Sequence, residues 1–115
     1  MKINSIRGKL KGLVKNPSGE EEYDSLMERD YMIELEHDPL VEKWTKKHNI
    51  KIPYDFFVLK RNYLPDFLVE YKDGTKEIHE TKGLPLLFLL STKAKRQTAE
   101  EYCAKLGWKY KLVTR

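Results

Sequence analysis

Two short stretches of this 115-residue chain combine residue types and spacing that can do chemistry: Pro65-Asp66 and Glu80-Thr81-Lys82. Paired carboxylates bind a hard divalent cation through oxygen, and such a cation polarises a phosphate and acidifies a water. A lysine two residues after the second carboxylate shares its face of a strand, because side chains alternate. From there its ammonium can orient the water or offset charge developing on phosphorus. That is the requirement for metal-dependent phosphodiester hydrolysis. Glu-x-Lys alone discriminates little, since Glu70-Tyr71-Lys72 also fits it. The discriminating combination is Pro-Asp at a strand start, a tight hairpin, and the second pair at the end of the returning strand.

Hairpin register decides whether the two acids meet. A two-residue Asp73-Gly74 loop sets Glu70 opposite Glu77 and Phe67 opposite Glu80, which turns Asp66 away from Glu80. A three-residue Lys72-Asp73-Gly74 loop with Gly74 left-handed shifts the register by one. Asp66 then faces Glu80, Leu68 faces Ile78 and Glu70 faces Lys76. An opposite-charge pair replaces a like-charge one, a gain of ~0.2–1 kcal/mol. The register favoured by pairing is the one that puts both carboxylates on one face. By alternation His79 faces away and reads as structural.

The elements that must position these residues follow from periodicity. Ser18-Gly19-Glu20-Glu21 has the capping-box form and predicts a helix from there to His37, ended by Asp38-Pro39. Tyr23, Met27, Tyr31 and Leu35, widened by Leu26 and Ile33, form its apolar stripe. Glu28 lies about 20° beyond Leu35 on the wheel, at the border where it can be partly buried against the sheet. Asp24 competes with it as a third carboxylate, and the wheel does not choose between them. Asp38 and Pro39 predict a second, shorter helix with Val41 and Trp44 inward. Strands follow at Ile50–Val58, Tyr63–Tyr71 and Thr75–Lys82, with reversals at Lys60-Arg61-Asn62 and Asp73-Gly74. Ser91 or Thr92 caps a helix to Leu106, Gly107 ends it, and Trp108–Thr114 is a last strand. The result is a single α/β domain with a mixed sheet flanked by helices.

Charge is segregated: residues 1–17 carry +5, residues 18–90 carry −6 and residues 91–115 carry +5, within a net +4. Basic ends around an acidic middle suit a polyanion partner near a carboxylate cluster. Residues 1–17, interrupted by Gly8, Gly12 and Pro17, read as a basic N-terminal arm that a partner would order, with the domain proper at 18–115. The longest apolar run, Leu84–Leu90, has seven residues including Pro85, too short to span a bilayer. It is a candidate dimer contact or core packing. The N-terminus has no secretory signal pattern. A single cysteine, Cys103, excludes an intramolecular disulfide and a cysteine-rich zinc site. The expectation is a cytoplasmic protein with no membrane partner.

The residues Pro65-Asp66 … Glu80-Thr81-Lys82 resemble the signature of the PD-(D/E)XK nuclease superfamily. The wider text is similar to the TnsA-type transposase endonuclease catalytic domain and to small phage-type nucleases. The similarity lies in Ser25-Leu26-Met27-Glu28-Arg29-Asp30-Tyr31, Leu35-Glu36-His37-Asp38-Pro39-Leu40-Val41, Ile50-Lys51-Ile52-Pro53-Tyr54, Tyr63-Leu64-Pro65-Asp66-Phe67-Leu68-Val69, Glu80-Thr81-Lys82-Gly83 and Gly107-Trp108-Lys109-Tyr110.

The resemblance implies a restriction-endonuclease-like fold and a Mg²⁺-dependent DNA endonuclease, with Mn²⁺ substituting. It selects Glu28 over Asp24 and implies a metal site of Glu28, Asp66, Glu80 and the Thr81 carbonyl. Lys82 orients the water, and cleavage leaves 5′-phosphate and 3′-hydroxyl ends. Lys93, Lys95, Arg96 and Gln97 become candidate DNA contacts at the start of the last helix. A free-standing phage or mobile-element nuclease is the expected setting, with recombination or replication proteins as partners. A dimeric Holliday-junction resolvase and a non-catalytic nucleic-acid-binding subunit are the alternatives.

Overall fold

A computed structural model of the chain describes residues 6–83 and 90–114, with the side chains of 90 and 91 left aside. Its centre is a four-stranded sheet of β3 (Val41–Thr45), β6 (Phe67–Tyr71), β7 (Lys76–Lys82) and β8 (Lys109–Thr114), in the order β3-β6-β7-β8. The β3-β6 and β6-β7 pairs are antiparallel, whereas β8 runs parallel to β7. The parallel pair needs a crossover, and α2 (Leu90–Leu106) supplies it. Helix α1 (Leu26–His37) covers one face. There Tyr31, Met32 and Leu35 pack with Val41, Trp44, Phe67, Val69 and Val113. On the other face Ala99 and Cys103 of α2 meet Ile78 together with Ile52, Tyr54 and Tyr63. The last three come from a separate antiparallel ribbon, β4 (Ile52–Phe56) and β5 (Leu59–Tyr63).

The hairpin that carries the candidate chemistry has the three-residue loop. Leu68 pairs with Ile78 and Glu70 with Lys76, Tyr71 N–H donates to Thr75 O, and Gly74 N–H to Tyr71 O. Gly74 has φ +88°, a conformation open to glycine and costly for other residues. His79 is fully buried on the α1 face, as alternation predicts. Its Nε2 lies 2.8 Å from Glu77 Oε1 and its Nδ1 2.5 Å from the Tyr31 hydroxyl. An ionised carboxylate only accepts, so Nε2 carries the proton and Nδ1 accepts from Tyr31. Burial lowers the imidazole pKa, keeping it neutral.

Several expectations about local structure are corrected. The capping box is Ser25-x-x-Glu28: Ser25 Oγ accepts from Glu28 N–H at 3.0 Å, and Glu28 Oε1 accepts from Asp24 N–H at 3.0 Å. Ser18 instead lies in a turn, its hydroxyl shared between Asn16 Oδ1 and Glu20 O, and Gly19 at φ +75° cannot continue a helix cheaply. Residues 8–11 form β1 (Gly8–Lys11), paired with β2 (Glu20–Tyr23), so this part of the basic arm is a strand. It is seated on the domain, since Lys15 N–H donates to Glu36 and Lys15 O accepts from Trp44 N–H. The buried α1 stripe is Glu28, Tyr31, Met32 and Leu35, leaving Leu26 and Ile33 exposed.

Val41 and Trp44 are inward, as expected, but on a strand and not a short helix. A register irregularity between Val41 and Lys43 lets residues three apart face one side. That spacing imitates a helical period. The reversal expected at Lys60-Arg61-Asn62 lies at Phe57-Val58, and Pro65 separates β5 from β6. Helix α2 already runs from Leu90, so Ser91 and Thr92 lie inside it. The Leu84–Leu90 dimer contact falls outside the described residues, apart from the backbone of Leu90. No described helix is long and apolar enough to cross a membrane.

Candidate active site

Asp66 precedes the first residue of β6, and Glu80 sits near the end of β7, where the hairpin register brings them side by side. Asp66 N–H donates to Glu80 Oε1 at 3.0 Å. Thr81 closes the clasp from the other side, donating to Asp66 Oδ2 from its N–H and its hydroxyl, both at 2.9 Å. Lys82, on the same face as Glu80, holds Nζ 3.8 Å from Glu80 Oε2. One oxygen of each carboxylate is thus tethered by the fold, while among the described residues Asp66 Oδ1 has no hydrogen-bond partner and Glu80 Oε2 faces only the Lys82 ammonium. Asp66, Glu80, Thr81 and Lys82 form one cluster.

Its electrostatics are unbalanced toward negative charge. Burial first, and then repulsion by Asp66, push the Glu80 pKa from 4.5 up to about 7, against the opposing pull of Tyr63 and Lys82. A divalent cation relieves both costs, because it replaces lost hydration and neutralises the paired acids. The donor set of hard carboxylate oxygens therefore fits such an ion.

Two residues that sequence reasoning did not select, Tyr63 and Tyr110, join this cluster, and Lys95, one of the candidate DNA contacts, packs beside them. The Tyr63 hydroxyl donates to Glu80 Oε1 at 2.7 Å and lies 3.2 Å from the Tyr110 hydroxyl. Burial and the neighbouring Glu80 carboxylate raise the Tyr63 pKa, so it remains a donor. Burial raises the Tyr110 pKa to about 12. Lys95 holds its ammonium 5.7 Å from the Tyr63 ring centre and 6.0 Å from that of Tyr54, within cation–π range. The sequence places Tyr63 at the start of the expected Tyr63–Tyr71 strand, three residues before Asp66, and that position alone does not mark it as a partner of Glu80.

Tyr63→Phe removes the donor and leaves Glu80 Oε1 with Asp66 N–H alone. The expected result is divalent-cation binding weakened several-fold in a protein that still folds, because a tether of the carboxylate is lost while its charge remains. Calorimetric titration of both proteins with a divalent cation checks it.

Glu28 is buried, as its border position on α1 predicts. Its Oε1 pairs with the Lys46 ammonium, whose Nζ also donates to Glu22 O at 2.9 Å. Among the described residues no three His, Cys, Asp or Glu side chains converge as a metal-holding group, and Glu28 stands in its own ion pair. A cleft lined by Lys46, His48, Lys51, Leu64 and Pro65 adjoins both the lysine that pairs with Glu28 and the proline that precedes Asp66. His48 Nε2 lies 2.7 Å from Pro65 O and fixes the approach to Asp66.

Of the α2 residues singled out, Lys93 is exposed. Arg96 Nε donates to Glu100 at 3.0 Å and Gln97 to Glu101 at 3.5 Å. Lys95, partly buried over the two tyrosine rings, is the one tied to the cluster.

No curated protein matches the chain. A family model described as the TnsA-like endonuclease N-terminal domain matches residues 32–115. The matched span holds Asp66, Glu80, Lys82 and the whole four-stranded sheet, and it begins four residues after Glu28. With that coverage, and with the acids brought together across a β-hairpin on a mixed sheet between two helices, the chain belongs to the TnsA-like endonuclease N-terminal family of PD-(D/E)XK-type nuclease domains.

Proposed function

We propose that this protein is a Mg²⁺-dependent DNA endonuclease acting at Asp66, Glu80 and Lys82. The observation that carries the reading is the clasp itself: two carboxylates tethered by Asp66 N–H, Thr81 and Tyr63, each with one oxygen remaining, and an ammonium 3.8 Å from the second. Asp66, Glu80 and the Thr81 carbonyl would hold the cation, and Glu28, paired with Lys46 in this structure, would extend that set. A bound divalent ion supplies Lewis acidity toward a phosphate oxygen and acidifies the attacking water. Lys82 holds that water by hydrogen bonding and offsets charge as phosphorus becomes pentacovalent. Thr81 and Tyr63 keep both carboxylates in place, so no side chain need reorganise during attack.

Lys46 and Lys51 line the cleft that reaches Pro65, next to Asp66, where a DNA backbone would meet cations before it meets the acids. Phosphate neutralisation by these groups and by Lys93 and Lys95 makes affinity fall with salt.

Supercoiled plasmid is the direct substrate test. Nicking is expected with Mg²⁺ or Mn²⁺ and is abolished by excess EDTA, then restored when the metal is returned. Plasmid that stays supercoiled across a metal titration, in a folded protein, refutes the enzyme reading.

A further inference from the structure

The β4–β5 ribbon ends in an apolar tip where the Phe57 ring meets only the edge of Phe56 among described aromatic rings, 4.6 Å between centres, and is otherwise turned to solvent. Phe56 and Leu59 close the ladder, leaving Phe57-Val58 as a two-residue loop. Such loops favour Asn, Asp or Gly, because they require a positive φ. Here Phe57 takes φ +56°, an uncommon backbone for a bulky residue. Phe57 is 78 % exposed and Val58 95 %. Burial would place such side chains inside, and solubility would place polar ones here.

The base of the same ribbon is anchored. Ile52, Tyr54 and Tyr63 are buried against α2 and β7, and Tyr63 bonds Glu80. Between base and tip, residues 50–63 carry Lys51, Lys60 and Arg61 against one acid, Asp55. All three cations are exposed. Asp55 is paired with Lys60 at 3.4 Å, and Arg61 lies over the Phe56 ring, 6.0 Å from its centre.

We propose that Phe57 and Val58 form a wedge that enters the minor groove of duplex DNA, with Lys60 and Arg61 on the flanking phosphates. Apolar side chains carried between cations are the means by which minor-groove proteins part a base step and bend the duplex. The positive charge argues for a polyanion as the occupant, against a second copy of the chain or an apolar peptide. The wedge rests on the reading of this protein as a DNA endonuclease and adds where the duplex is gripped. Phe57 lies five strand steps beyond Ile52, the partner of Tyr63, about 17 Å at the strand rise. That is about five base pairs of B-DNA, so the grip is set at a distance from Tyr63 and the Glu80 it bonds.

The test compares the intact chain with Phe57→Ser/Val58→Ser and with Lys60→Ala/Arg61→Ala. It measures binding of a 30-base-pair duplex across a salt series in Ca²⁺ and nicking of plasmid in Mg²⁺. Both variants alter exposed side chains only, and unchanged thermal midpoints check that they fold.

The tip variant is expected to bind about tenfold more weakly with the salt slope unchanged, since it loses no phosphate contact. The cation variant is expected to lower the slope by about two. At saturating protein both should still nick plasmid. A tip variant that binds duplex within twofold of the intact chain overturns the wedge. Absence of nicking by the intact chain refutes the endonuclease reading instead, and the duplex-binding arm still judges the wedge.

Discussion

Asp66→Asn is expected to lower Mg²⁺-supported cleavage by on the order of 10³ or more while leaving DNA affinity nearly unchanged. The substitution keeps the size of the side chain and an oxygen able to accept from Thr81 N–H and its hydroxyl, the two bonds that lock Asp66 to β7. What it removes is half the negative charge of the clasp. The amide oxygen is a weak ligand for a hard cation, and Glu80 alone cannot fix one.

Binding is expected to survive because the cations proposed to meet phosphate, Lys46, Lys51 and Lys95 among them, lie on other elements. With less repulsion, the Glu80 pKa should also fall, so the variant resembles the parent in fold and differs in charge. Nicking and duplex binding measured together check the claim. Retained cleavage would place the chemistry elsewhere. Loss of both activities with a lowered thermal midpoint would show only a broken clasp, and Asp66→Glu then discriminates, because it restores charge at the wrong length.

The metal-free protein should also lose stability as pH rises from about 4.5 to about 7. Glu80 ionises at 4.5 when free and at about 7 in the fold, so the native state binds this proton more tightly than the unfolded chain. Below 4.5 both states hold it and the advantage is complete. Through the interval the unfolded chain releases the proton first, and the advantage shrinks. Above 7 both are ionised and the native state bears a buried carboxylate beside Asp66. The difference corresponds to about 3 kcal/mol, a large share of a small domain's total.

Thermal midpoints in EDTA across this range, for the parent and for Glu80→Gln, isolate the contribution as the difference between two slopes. A Glu80→Gln curve parallel to the parent would disprove it. Mg²⁺ has the opposite dependence, since its ligand must be deprotonated. Its stabilising effect should be larger at pH 8 than at pH 5.

The reading from sequence succeeded where local rules decide and failed where distant parts of the chain do. The Lys72-Asp73-Gly74 loop is a local choice, settled by a glycine at φ +88° and by the charges of Glu70 and Lys76. From that choice the meeting of Asp66 and Glu80 followed. The ends of α1 show the limit even of local signals. Ser18-x-x-Glu21 and Ser25-x-x-Glu28 have the same form, and pairing of β1 with β2 selected the second. Val41 and Trp44 carry a helical spacing in a bulged strand, because both faces of a period can arise from one added residue.

What the amino-acid order determined by itself was the chemistry on offer: which acids, which lysine, and the short hairpin that makes them neighbours. Tertiary structure alone decided their environment. Tyr63 and Tyr110, 47 residues apart, meet at Glu80 only because β8 returns parallel to β7 beneath α2, and Lys46 reaches Glu28 across 18 residues for the same kind of reason. Periodicity states which face a side chain takes. It cannot state what the rest of the chain brings to that face, and both the pKa of Glu80 and the partner of Glu28 depend on that.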